Sequence, residues 1–235
     1  MKTAIMQPYF LPYIGYWQLI NNVDEFVIYD NIQYTKNGWI NRNRYLLNEK
    51  DCLFTIPLKS DSNNLNIVDR YISENYDKNK LLNKFINCYK KALYFKNNFD
   101  IIEEIIRYDE NNLFLYNLNS VKLICSYLDI KTKISISSSI NIDHKNLKAQ
   151  DKVISICKEL KSNIYINAIG GIDLYNKNIF EYNGLSLNFI KSNNIEYKQF
   201  DKKFVPWLSI LDVMMFNSKE DIKNMLNQYQ LIEGK

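Results

Sequence analysis

Apolar positions recur along the chain with two different periods, and the switches between them mark out the elements. Thr3-Ala4-Ile5-Met6 is a short apolar run stopped by Pro8, and Ile14 to Leu19 can wind into a helical turn before the polar pair Asn21-Asn22. Asp24-Glu25-Phe26-Val27-Ile28-Tyr29-Asp30 encloses β-branched and aromatic residues between polar ones, the pattern of a buried strand. The opening therefore predicts a βαβ unit with parallel strands and a right-handed crossover. From Asn31 the chain turns aromatic and amide-rich until Leu53-Phe54-Thr55-Ile56-Pro57-Leu58, which reads as a hairpin or long loop inserted after the second strand.

Helical spacing then takes over. Leu81, Phe85, Tyr89 and Leu93 form one stripe, Ile101, Ile102, Ile105 and Ile106 a second, and Phe114, Leu118, Val121, Ile124 and Leu128 a third. A strand is expected over 133–140, a helix over 150–160, a strand over 163–168 running into Gly170-Gly171, a short helix over 175–183 and a strand over 184–190. Helices are expected over 207–216, where Pro206 is well placed to start one, and over 219–231, opened by Ser218 and Asp221 as a cap. This alternation predicts one α/β domain over 1–235. It has three layers, a mainly parallel, Rossmann-like sheet, an inserted hairpin, and residues 75–130 as a helical cap or subdomain. Ligands of such sheets bind beyond the carboxyl ends of the strands, where strand order reverses.

Composition narrows the partners. A formal net charge of +4 on 235 residues lacks the concentrated basic excess of a phosphate-backbone binder, so DNA is not an expected partner. No apolar run approaches the ~18 residues that span a bilayer, and Pro8 interrupts the start before a signal-peptide core can form. A cytoplasmic protein without membrane insertion is expected. Cys52, Cys88, Cys125 and Cys157 include no CxxC pair and share the chain with a single histidine, so no metal site is expected and the cysteines read as small buried hydrophobes.

Four segments can carry chemistry. Met6 to Trp17 (MQPYFLPYIGYW) is a strand-to-helix loop fixed by two prolines, in which Gly15 permits close backbone approach and the helix start offers N–H groups to an anion; it can equally pack over the core. Asp30 to Arg44 (DNIQYTKNGWINRNR) begins at a strand end and gathers a carboxylate, amides, a lysine, an indole and arginines; Arg42 can chelate a phosphate bidentately while Lys36 adds a mobile charge. A solvated hairpin is the plainer alternative. Ile166 to Tyr175 places Gly170-Gly171 between strand and helix, where backbone N–H groups can close a ligand site or simply turn the chain. In the last, Tyr197 to Phe200 and Phe204 to Asp212, capping and packing explain most of the pattern. His144, the sole imidazole, is either a general base or a surface residue.

In this order the segments resemble the WbqC-like protein family. The resemblance rests on MQPYFLPYIGYWQLI, DEFVIYDNIQYTKNGWINRNR, FTIPL, KAQDKVISICKEL, IYINAIGGIDLY, and YKQF with FVPWLSILDVMMFN, and covers nearly the whole chain. Near residue 168, where relatives tend to have Ser-Gly before the glycine pair, this chain has Asn167-Ala168. The resemblance implies a role in bacterial surface polysaccharide (O-antigen) biosynthesis: transfer of an acyl group, such as glycyl, to the amine of a nucleotide-linked amino-deoxy sugar. The acyl donor is then a carrier-protein thioester, with an acyl or peptidyl carrier protein as partner, or an aminoacyl-tRNA. Gln7, Gln33, Asn41 and Asn43, with Asp30, would bond sugar hydroxyls; Lys36 and Arg42 would hold the diphosphate. Tyr9, Tyr34 and Trp39 would stack on a base or sugar face, and Gly15, Tyr16, Gly170, Gly171 and Tyr175 complete the substrate site. Asp30 or His144 would take the amine's proton. Two other classes stay open: a nucleotide-binding, adenylate-forming enzyme, with Tyr13-Ile14-Gly15-Tyr16 where that group carries HxGH, and a non-catalytic sugar-nucleotide binding protein.

Overall fold

The computed structural model describes residues 1–62, 64–200 and 203–234. A six-stranded sheet runs in the order β5-β2-β1-β6-β7-β8, built from β1 (Lys2–Met6), β2 (Glu25–Ile28), β5 (Lys133–Ile136), β6 (Ile164–Ala168), β7 (Ser186–Ser192) and β8 (Tyr229–Glu233). Every pairing is parallel except β7–β8. A separate antiparallel hairpin joins β3 (Arg42–Leu47) to β4 (Lys50–Thr55).

Strand alternation divides the apolar side chains between two cores. Ala4, Phe26, Ile28, Ile166 and Ile190 point to one side, while Ile5, Val27, Tyr165, Leu187 and Phe189 point to the other. Burial on both faces is why these strands read as nearly continuous apolar runs. The larger core packs under α1 (Ile14–Asn22), α2 (Lys78–Tyr89), α3 (Phe95–Arg107), α4 (Leu113–Tyr127), α7 (Ile210–Phe216) and α8 (Lys219–Met225), and includes the hairpin through Tyr45 and Phe54. The smaller core lies under α5 (Ala149–Glu159) and α6 (Lys177–Tyr182). The three helical stripes of 75–130 are present, and their buried side chains share one continuous cluster with the sheet.

The structure corrects three boundaries. Residues 229–231, expected in the last helix, belong to β8, because Ile190 and Phe189 offer paired positions to Leu231 and Ile232; α8 stops at Met225 while keeping its expected Ser218–Asp221 capping box. Helix α7 starts at Ile210, not at Pro206, since Trp207 takes a φ of 62° and Ser209 is the cap residue. The strand expected to reach residue 140 ends at Ile136 and turns into a single 3₁₀ turn, Ser137–Ser139. Among the described residues no helix is long and apolar enough to cross a membrane.

Candidate functional site

Strand order reverses between β1 and β6: β2 and β5 lie to one side of β1, β6 to β8 to the other. That reversal leaves a crevice at the carboxyl ends of the two central strands, and a cavity of about 400 Å3 sits there. Met6, Tyr9, Pro12 and Tyr13 line it from the end of β1, Gly15, Tyr16 and Leu19 from α1, and Ala168 and Ile169 from the end of β6. The end of β7 contributes Ile190, Lys191 and Ser192, the segment around β3 contributes Trp39, Asn43 and Arg44, and Trp207 closes the lining.

The opening loop is held by its own carbonyls. Asn117 Nδ2 donates to Pro8 O (3.1 Å), Asn43 Nδ2 to Phe10 O (3.2 Å) and Leu11 O (2.9 Å), and Trp17 Nε1 to Pro12 O (3.0 Å). These bonds satisfy polar backbone that the prolines have taken out of regular structure, and they let Leu11 sit at a φ of 45°. Gly15 is required by crowding, since a Cβ there would lie 2.8 Å from the Tyr13 ring.

Aromatic faces dominate the wall. Tyr13 packs against Trp207 with centroids 5.2 Å apart, and Tyr9 against Tyr16 at 5.7 Å. The Arg44 guanidinium lies 5.3 Å from the Trp39 ring centroid and pairs with Asp51 at 3.2 Å. Two of the wall's tyrosine hydroxyls and its amide are already engaged. Tyr16 Oη donates to Gln7 O (2.9 Å), Tyr13 Oη to Ser192 Oγ (3.1 Å), and Asn43 Oδ1 accepts from Arg44 N (2.8 Å). Burial pushes the Tyr9, Tyr13 and Tyr16 hydroxyls up from their usual range, so all three stay neutral.

Of the residues singled out in the sequence, Tyr9, Gly15, Tyr16, Trp39 and Asn43 line this cavity. Gln7 supports it through its carbonyl, and Gly170 and Gly171 lie in the 3₁₀ turn Ile169–Leu174 that begins at its edge. Gly171 packs where a Cβ would meet Asn167 Nδ2 at 2.8 Å. Lys36 and Arg42, expected in the same cleft, do not line the cavity, although the Arg42 guanidinium lies 5.8 Å from the Trp39 ring centroid. Arg42 is held by the turn below it, Nε donating to Gly38 O at 3.0 Å and Nη2 to Asn37 O. Asn41 is likewise structural, bonded to Ile56 O (2.8 Å) and accepting from Tyr34 Oη (2.8 Å). Tyr34 has Arg70 over its ring, Gln33 bridges to Asn66, and Tyr175 bonds Tyr165 across 3.2 Å.

The two candidate bases are placed elsewhere, and neither lines the cavity. Asp30 is 0% exposed; its Oδ1 accepts from Ser137 Oγ (2.7 Å) and Ser138 N (2.9 Å), while Oδ2 has no partner among the described residues. Asn31 Oδ1 lies 2.7 Å from the same Ser137 Oγ, whose one proton the two acceptors share, and Lys152 Nζ stands 3.4 Å from that Oδ1 and 5.0 Å from the Tyr29 ring centroid. Burial pushes the Lys152 amine down, partly opposed by Asp30. His144 has Nδ1 3.0 Å from Asn31 Nδ2 and Nε2 2.8 Å from Ile140 O. With Nε2–H donating and Nδ1 accepting, no lone pair remains for a substrate proton. No group of three His, Cys, Asp or Glu able to hold a metal ion stands together among the described residues.

Sequence reasoning missed Trp207, Arg44, Lys191 and Ser192 as site residues. For Lys191 and Ser192 the signal was present: they end a strand at the same sheet edge that drew attention to Gly170.

The chain is 28% identical over 220 residues to the uncharacterized protein Rv1507c of Mycobacterium tuberculosis, covering 92% of this chain and 93% of that one. No solved structure matches it. The model of the WbqC-like protein family matches residues 7–224, a span that holds the hairpin and every residue lining the cavity except Met6, and the chain belongs to that family.

Proposed function

We propose that this protein transfers an acyl group, in particular an aminoacyl group such as glycyl, to the amine of a nucleotide-linked amino-deoxy sugar used in bacterial surface polysaccharide. The observation that carries the reading is the aromatic cavity at the reversal of strand order, with Arg44 and Lys191 among its lining: rings suit a flat ligand face and cations suit phosphate. The amine nitrogen attacks the donor's acyl carbon, the C–N bond forms, and the C–S bond of a carrier thioester or the C–O bond of an aminoacyl-tRNA breaks. The amine enters as an ammonium and gives one proton to water at the open mouth before it attacks; a second proton goes to the departing thiol or hydroxyl, and the third stays as the amide N–H. Such substrates and donors place the reaction in the cytoplasm.

The test is incubation with a panel of nucleotide-linked amino sugars, with carrier-bound glycine, charged tRNA or ATP, read by mass spectrometry. A gain of the acyl mass on the sugar is the expected result. A second reading, adenylate formation, is favoured by one observation: Tyr13, Gly15 and Tyr16, at the place of the HxGH signature, line the cavity. Release of pyrophosphate from ATP without an acyl donor would select it. Binding with no turnover under any condition would select a sugar-nucleotide binding protein.

A further inference from the structure

Resting on that reading, the geometry points to the end of the substrate that the cavity takes: we infer that it holds the nucleobase of a nucleoside diphosphate, with the amino sugar left outside. Sugar rings are read through hydroxyls, which need unpaired donors and acceptors in the wall. Here three of the polar side chains facing the cavity, Tyr13, Tyr16 and Asn43, are bonded within the protein. Tyr13 is tied to Ser192, Tyr16 to the Gln7 carbonyl, and Asn43 to the Phe10 and Leu11 carbonyls. Recruiting any of them for a hydroxyl would orphan a buried group. What the wall offers instead is flat apolar surface.

Two tryptophans from segments far apart in the chain line the same cavity while staying 38% (Trp39) and 63% (Trp207) exposed. Large rings left open to water at a cavity are the usual platform for stacking on bases. Trp207 is fixed there by Tyr13 at 5.2 Å, and Trp39 by Arg44 at 5.3 Å. The diphosphate then falls first to Lys191 and, beside it, to Arg44, which lines the cavity while its guanidinium also pairs with Asp51, and not to Arg42, which lies outside the lining and is held by the Asn37 and Gly38 carbonyls. In this orientation the protein discriminates between bases and tolerates different amino sugars, whose amines project to where a macromolecular donor can reach.

The test measures binding of the uridine, thymidine, cytidine, adenosine and guanosine 5′-diphosphates and of free glucosamine by calorimetry, with saturation-transfer NMR on the bound nucleotide. At least one nucleoside diphosphate should bind, with saturation strongest on base protons. Trp39→Ala and Trp207→Ala should each weaken it by roughly tenfold, the scale of one lost base-stacking contact. Lys191→Gln should weaken the diphosphate but not the bare nucleoside, and Tyr182→Ala, on the exposed side of α6, should change nothing. Glucosamine binding with no nucleoside diphosphate binding, or saturation centred on the sugar of a nucleotide-linked amino sugar, would overturn the orientation while leaving acyl transfer standing. Nucleoside diphosphate binding as described, with no acyl mass gain from any donor, would instead remove acyl transfer and keep the base site.

Discussion

Asp30 and Asp212 are both 0% exposed, yet the protein supplies them with donors very differently. Asp212 in α7 has both oxygens served: Tyr89 Oη donates to Oδ1 (2.9 Å), and Tyr197 Oη and Gln199 Nε2 donate to Oδ2 (both 2.7 Å). Tyr89 Oη in turn accepts from Leu46 N at 2.8 Å, and Gln199 Oε1 accepts from Val205 N at 2.6 Å. One carboxylate thus ties α7 to α2, to β3 and to the segment that carries Trp207. Asp30 has one oxygen bonded to the Ser137–Ser138 turn and the other without a partner among the described residues. Position at a strand end made Asp30 the more chemical-looking of the two in the sequence. Donor supply shows that Asp212 is the one the fold around the cavity depends on.

The sharpest way to break this contrast is Asp212→Asn. The amide nitrogen cannot accept from Tyr197 and Gln199, and buried groups left unpaired cost ~1–3 kcal/mol each. Chemical denaturation should show a loss of roughly 2–4 kcal/mol, and a loss well under 1 kcal/mol would mean that Asp212 does not organise the region.

Acidity gives the next largest effect. Burial raises the Asp212 carboxyl to about 6, above its value of ~3.9 in an unfolded chain. Folding therefore favours the protonated form, and its stabilising contribution is fully present below about pH 4 and lost as pH rises through 6. Denaturation at several pH values should show the wild type losing stability relative to Asp212→Asn between pH 4 and 6.5. A difference that does not vary with pH would place the titration elsewhere.

Smaller changes belong to the other carboxylate. Ser137→Ala removes the hydroxyl bridging Asp30 and Asn31, and should cost ~1.5 kcal/mol, the lower end for a hydrogen bond to a charged group. Asp30→Asn should cost less than ~1 kcal/mol, because the amide oxygen keeps both donors and its NH₂ replaces an oxygen that bonds nothing. Turnover should be nearly unchanged. A fall of ~10²–10⁴-fold with the fold intact, the size expected on losing a general base, would restore Asp30 to the chemistry.

The sheet was legible because its strands alternate between two buried faces, so that Ala4 and Ile5, or Phe26 and Val27, announce a strand wherever they sit. β8 was not, because Ile222, Met225 and Leu226 carry helical spacing up to its edge and only pairing with β7 makes 229–233 a strand. The proline-fixed loop was legible as part of a site, since prolines, Gly15 and aromatics constrain one another locally. The setting of Asn41 and Asn43 was not legible, because an amide in a sequence looks the same whether it faces a ligand or a carbonyl. Their partners, Ile56 O and Phe10 O, are set by the tertiary fold. Trp207 lines the cavity from a segment that Gln199 bonds to Asp212 and Val205, a relation that no local pattern encodes.

The central place of β1 has a consequence for how the chain is made. One edge of β1 finds β2 almost at once, but the other waits for β6, which pairs Lys2 with Ile164. At ~5–20 residues per second of synthesis the first strand spends roughly 10–30 s on the ribosome with an open backbone edge, the kind of template on which other chains pair. The aromatic loop after it stays uncovered longer still, until Trp207 emerges. A chain that stops short of that residue leaves Tyr13 of the aromatic loop without the Trp207 ring that packs against it.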